Sequence, residues 1–136
     1  MYKCIHFEIH ELVSRRIYED HGELAWELLD DRLLITIDRL RERYGKTTIN
    51  NYHWGGNRQW SGLRTPDSPY YTPHSQHTFG RAADCLFRDY TAQAVRTHIL
   101  NNPGHTDFMY ITSVERGTSW LHIDTRNCNR IKAFYP

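Results

Sequence analysis

The chain has 136 residues, 39% of them hydrophobic, with a mean hydropathy of −0.73 and a net charge of +1 from 17 Lys and Arg against 16 Asp and Glu. That length suits a single domain, residues 1 to 136, able to bury about two-thirds of its unfolded surface. No apolar run approaches the roughly 20 residues that cross a bilayer and no basic block stands out, so neither membrane insertion nor nucleic-acid binding is expected.

Met1-Tyr2-Lys3-Cys4-Ile5-His6 lacks the apolar stretch of a secretory signal, so synthesis in a cytoplasm is expected. Cys4, Cys85 and Cys128 are odd in number and form no CxxC pair, which reads as free thiols in a reduced compartment. A monomer is expected.

Residues 6 to 21 read as a short helix ended by His21-Gly22. Glu23 to Tyr44 reads as a longer one, with Leu24, Leu28, Leu33, Leu34, Ile37, Leu40 and Tyr44 near helical spacing and Gly45 as its C-terminal cap. Thr47 to Trp54 is β-branched and aromatic and reads as a strand broken by Gly55-Gly56-Asn57. Residues 55 to 74 then form a long Gly-, Pro-, Ser- and Asn-rich connection, the kind that walls or closes a cleft.

Ala82 to Leu86 reads as a strand. Thr91 caps a helix running to about Asn101, with Ala94, Val95, His98 and Ile99 inward, and Asn102-Pro103-Gly104 stops it. Asp107 to Val114 and Ser119 to Asp124 read as strands joined through Glu115-Arg116-Gly117-Thr118. On the last strand Trp120, His122 and Asp124 share one face, which should line a cleft, while Leu121 and Ile123 face the helices. The pattern is α+β: N-terminal helices flanking a mostly antiparallel sheet, with one helix inserted.

The chemistry concentrates in Ser75-Gln76-His77-Thr78-Phe79-Gly80-Arg81-Ala82-Ala83-Asp84 and in Trp120-Leu121-His122-Ile123-Asp124. His77, Asp84 and His122 offer two imidazoles and a carboxylate to one divalent metal. Three protein ligands with one open position is the arrangement of a catalytic zinc site. His77 and Asp84 converge only if the chain bends between them, and Gly80 permits that bend. Cys85 should face away from the site, because adjacent strand residues point to opposite sides.

The pattern Ser-x-His-x-x-Gly-x-Ala-x-Asp followed by Trp-x-His-x-Asp resembles the zinc D-Ala-D-Ala carboxypeptidase family, which includes phage and bacterial peptidoglycan peptidases and shares its fold with the hedgehog signalling domain. The resemblance covers roughly residues 8 to 126. It implies Zn2+ on His77, Asp84 and His122, and a peptidoglycan stem peptide as substrate. It implies cleavage of a D-Ala-D-Ala or other stem-peptide bond at the bacterial cell wall; with neither a signal peptide nor a wall-binding domain in the sequence, a phage or prophage product is expected, an endolysin or a virion-associated lysin. It also implies that Arg64 grips a substrate carboxylate or polarises the scissile carbonyl, and that Ser75 hydrogen-bonds substrate; Trp120 stands beside them as a substrate contact. Many members carry a Glu a few residues before the last His. Position 119, three residues upstream, is Ser here, so the general base is either Glu115 or Asp124, the latter alternatively orienting an imidazole from behind. His74, His105, Trp54, Trp60, Tyr70 and Tyr71 are further candidates for the cleft rim. Two rival readings stand beside the peptidase: a metal-stabilised binding or virion structural module without a base, and an amidase cutting between sugar and peptide.

Overall fold

A computed structural model describes all 136 residues. One sheet carries five strands in the order β1-β2-β4-β3-β5, where β1 is Thr47–Thr48, β2 Ala82–Phe87, β3 Ser113–Glu115, β4 Leu121–Asp124 and β5 Lys132–Phe134. The pairings β1 to β2, β2 to β4 and β3 to β4 are antiparallel, and β3 to β5 is parallel. With helices α1 (Arg15–His21), α2 (Asp31–Tyr44) and α3 (Ala92–Asn101), the architecture is α+β on a mixed, mostly antiparallel sheet.

One face of the sheet is apolar because alternate residues on each strand are. Ala83 and Cys85 of β2, Val114 of β3, and Leu121 and Ile123 of β4 are buried against Leu33, Leu34, Ile37 and Leu40 of α2 and Val95 and Ile99 of α3. Each fully buried aliphatic side chain contributes about 1.5–3 kcal/mol of transfer free energy. The same alternation sends Asp84 and His122 to the opposite face. They sit directly across from each other in the β2 to β4 register, so the pairing that closes the core also assembles the site.

The N-terminal helices are shorter than their periodicity suggests. Ser14 accepts from the Ile17 amide and starts α1 at Arg15, leaving Ile9–Glu11 as a separate 3-10 turn instead of one helix over 6 to 21. The expected helix from Glu23 to Tyr44 is also divided. Gly22–Leu28 is a 3-10 stretch, Leu29 is extended, and the Asp30 carboxylate caps α2 by accepting from Arg32 N. Leu24 and Leu28, the first two residues of that helical spacing, are exposed at 68% and 42%.

Other expectations need correcting. The strand foreseen over Thr47 to Trp54 stops at Thr48. Fully buried Asn50 donates to Val13 O and accepts from Ser61 N, which draws the chain out of the sheet and into a 3-10 turn at Tyr52–Trp54. Asp107 to Val114 is mostly not strand: Thr106–Phe108 is a 3-10 turn, and pairing begins at Ser113. Glu115 therefore ends β3, and residues 116 to 120 form the connection. β5 was not anticipated. On α3, Ala94 is exposed, whereas Arg96 is 1% exposed.

Candidate metal centre

His77 reaches the sheet face from a chain of turns that ends at Gly80. Gly80 has φ +67, and a Cβ there would lie 2.1 Å from Leu28 O, so only glycine fits the bend. The turn is tied at both ends, Asp30 N donating to Gly80 O and Arg64 N to His77 O. Asp84 N donates to Ser61 O, and Leu63 N to Leu12 O. Residues 61 to 64, within the long connection, are thus a fixed wall of the site.

Each of the three side chains has one polar atom committed elsewhere and one facing a shared point. His77 Nδ1 lies 2.8 Å from Gly62 O; a carbonyl only accepts, so Nδ1 carries a hydrogen and Nε2 is the ring nitrogen turned toward Asp84. Asp84 Oδ2 accepts from Arg64 Nη2 at 3.0 Å. Its Oδ1 lies 3.3 Å from His77 Nε2 and 2.9 Å from His122 Nδ1. His122 Nε2 lies 2.9 Å from Asp124 Oδ2. The three donor atoms, all on buried residues, lie within 4.8 Å of one another, close to the span one ion bridges with bonds of about 2.0–2.2 Å. Two imidazoles and a carboxylate, each held from behind by a carbonyl, a guanidinium or a carboxylate, fit a single divalent metal.

The electrostatics follow from burial opposed by pairing. Burial raises the Asp84 carboxyl, but hydrogen bonds from His122 and His77 outweigh it and hold Asp84 well below the usual carboxylate range. Burial disfavours charge on His122, yet Asp124 and Asp84 flank the ring and push it up to about 9. Burial likewise raises Asp124, and Arg126 and His122 pull it down to about 2.

A cleft of about 790 Å³ opens over these three side chains. Arg64, Ser75, Glu115 and Trp120 line it, as do Trp60, Tyr70 and His74 among the other rim candidates. Arg64 uses Nε on Trp60 O and Nη2 on Asp84, so it is anchored beside the candidate metal site. Ser75 Oγ accepts from His77 N, a turn contact made at the cleft edge. Glu115 is half-buried at the end of β3, with its side chain in the cleft.

Asp124 is placed differently from a general base. It is fully buried behind His122, and Arg126 takes both of its oxygens, Nε on Oδ1 at 2.7 Å and Nη2 on Oδ2 at 2.6 Å. It does not line the cleft. His105 also lies elsewhere, against Arg43 and Asp107. Trp54 packs on His10 and His53 and is not part of the cleft lining, nor is Tyr71. Cys85 is in the core, on the face opposite Asp84.

Sequence reasoning missed Arg58 and Arg126. Arg58 donates to Ile49 O and Asp84 O and lines the cleft. Arg126 continues the two-residue alternation His122, Asp124, Arg126, a signal that was there to be read past the end of the strand.

The chain matches no protein-family model, no curated protein and no solved structure, so the reading of this site rests on its own geometry.

Proposed function

We propose that this chain is a zinc metallopeptidase that hydrolyses an amide bond in the stem peptide of bacterial peptidoglycan, with the hedgehog-type fold its two motifs resemble. The observation that carries the reading is the set of three buried donors, each backed by a second polar partner and open to one cleft. Bound at His77 Nε2, Asp84 Oδ1 and His122 Nδ1, zinc would supply Lewis acidity, lowering the pKa of water toward about 7 and polarising a carbonyl.

The chain's own groups divide the remaining tasks. Glu115 is the only carboxylate in the cleft lining besides the ligand Asp84, so it takes the proton from the attacking water and passes it to the leaving amine. Arg64, with Nε and Nη2 anchored, turns its remaining nitrogen to the developing oxyanion or to a substrate carboxylate. Trp120 and Ser75 bind the peptide at the rim. Asp124 orients His122 so that Nδ1 faces the metal point, and Arg126 fixes Asp124.

One observation favours a second reading. Ser119 stands three residues before His122, where many members of the resembled family have Glu, which suits a metal-stabilised binding module. Glu115→Gln separates the two. The peptidase reading expects zinc content and melting temperature to be retained and turnover of a synthetic stem peptide to fall by about 10²–10⁴-fold. Unchanged turnover would remove Glu115 from the mechanism, and no turnover by the unaltered protein on any stem peptide would favour the binding module.

A further inference from the structure

We infer that Arg96 of α3 is the positioning residue that sets the arch from Glu115 to Trp120 over the metal centre; this rests on Glu115 acting in the proposed reaction. Arg96 is 1% exposed, an unusual placement for a guanidinium. It forms no ion pair with an acidic side chain among the salt bridges of the chain. Its charge is met instead by oxygens, most of them on one short segment. Nε donates to Glu115 O at 2.8 Å. Nη2 donates to Thr118 O at 3.1 Å, to Thr118 Oγ1 at 3.1 Å and to Trp120 O at 2.9 Å. Nη1 is steadied by Gln93 Oε1, one turn earlier on the helix, at 2.7 Å.

The need for such a group follows from the backbone. Between β3 and β4 the chain leaves the sheet, so carbonyls that would have entered the ladder turn inward without strand partners. Buried carbonyls require donors, and one planar guanidinium offers five in a fixed fork. The oxygens it holds belong to the two feet and the crown of the arch. The feet are Glu115 and Trp120, whose side chains both line the cleft. Arg96 itself is not among the cleft residues, so it acts on the reaction only by fixing where those two side chains stand.

The test compares zinc-loaded Arg96→Met and Arg96→Lys with the unaltered chain. Three quantities are read: zinc per chain, amide hydrogen exchange of residues 116 to 120, and kcat and KM on a soluble stem peptide. Zinc content is expected to hold, because none of the three ligands touches Arg96. Exchange in the arch is expected to quicken. Misplacing the base by about 1 Å is expected to lower kcat on the order of 10²-fold, and KM is expected to rise as well because Trp120, the arch's other foot, binds the peptide. Lysine, which reaches only part of the acceptor set, should fall between. A kcat per zinc-loaded chain within about twofold of the unaltered protein, with only the melting temperature lowered, would make Arg96 a structural residue and overturn the inference. Should Arg96→Met not fold, Arg96→Lys carries the same two outcomes. If the unaltered chain cleaves nothing, the peptidase reading falls on its own; unchanged exchange at 116 to 120 would overturn the arch whatever the activity.

Discussion

On the proposed zinc-peptidase reading, Asp124→Ala and Asp124→Asn should weaken zinc binding far more than they slow the zinc-loaded protein. Asp124 is fully buried, takes His122 Nε2 at 2.9 Å and is clamped by Arg126 through both oxygens. Removing the group behind a ligand imidazole typically costs 10–100-fold in metal affinity, or about 1.4–2.8 kcal/mol. The metal-free fold should suffer too. Alanine leaves a buried ring nitrogen and a guanidinium without their partner, and breaking a buried pair costs about 3–5 kcal/mol. Arg126 is 34% exposed and can recover some hydration, which lowers the expectation to about 2–4 kcal/mol. Asparagine keeps the shape and one acceptor, so it should cost less on both counts. Competition against a chelator gives the affinity, and urea unfolding of the metal-free protein gives the stability. Affinity within twofold of the unaltered protein, combined with a collapse in kcat, would show Asp124 acting as the base and would refute the orienting role.

Three other consequences follow from the packing and the charges. Gly80→Ala should destabilise the fold by about 2–4 kcal/mol and disturb zinc binding, because φ is +67 and the new methyl would lie 2.1 Å from Leu28 O; a loss under about 0.5 kcal/mol in urea unfolding would contradict this. Asp38 accepts from Ile5 N, His6 N and Tyr2 Oη, so Asp38→Ala should free the N-terminal segment at a cost of about 2–4 kcal/mol, visible as faster proteolysis at Lys3. The stability of the metal-free protein should depend on pH at both ends. The depressed Asp84 contributes above its unfolded pKa, near 3.9, and that contribution is lost on acidification. His122, raised to about 9, contributes fully below its unfolded value near 6.5 and loses that contribution as pH rises through 9. The alkaline loss is about 3 kcal/mol, shared between His122 and its two carboxylates. Urea midpoints flat from pH 6 to pH 10 would show that the pairing around His122 is absent in solution.

The parts legible in the sequence were those where one local rule and one tertiary role agreed. Thr91 both caps α3 and begins its apolar spacing, and the alternation on β2 and β4 follows directly from two buried faces of opposite character. The three residues that could hold a metal were legible because they arrive in the order of two recognisable motifs, and a glycine bend with a strand alternation lets them meet on one face. Elsewhere a side chain overrode the pattern. Ser14 and Asp30 cap new helix starts inside what reads as continuous periodicity, and the buried Asn50 amide pulls its segment out of the sheet. β5 is three residues long and has no alternation to reveal it. Arg96 could not be found from spacing at all, since an arginine at an inward position is read as an error until the carbonyls that meet its charge are seen.

Digestion of purified sacculi by the zinc-loaded chain, beside a chelated control and with fragments identified by mass spectrometry, tests the central claim most directly. The account predicts new peptide termini within the stem that vanish on chelation and return with zinc. Intact sacculi from several wall types, exposed to protein carrying one zinc per chain, would contradict it.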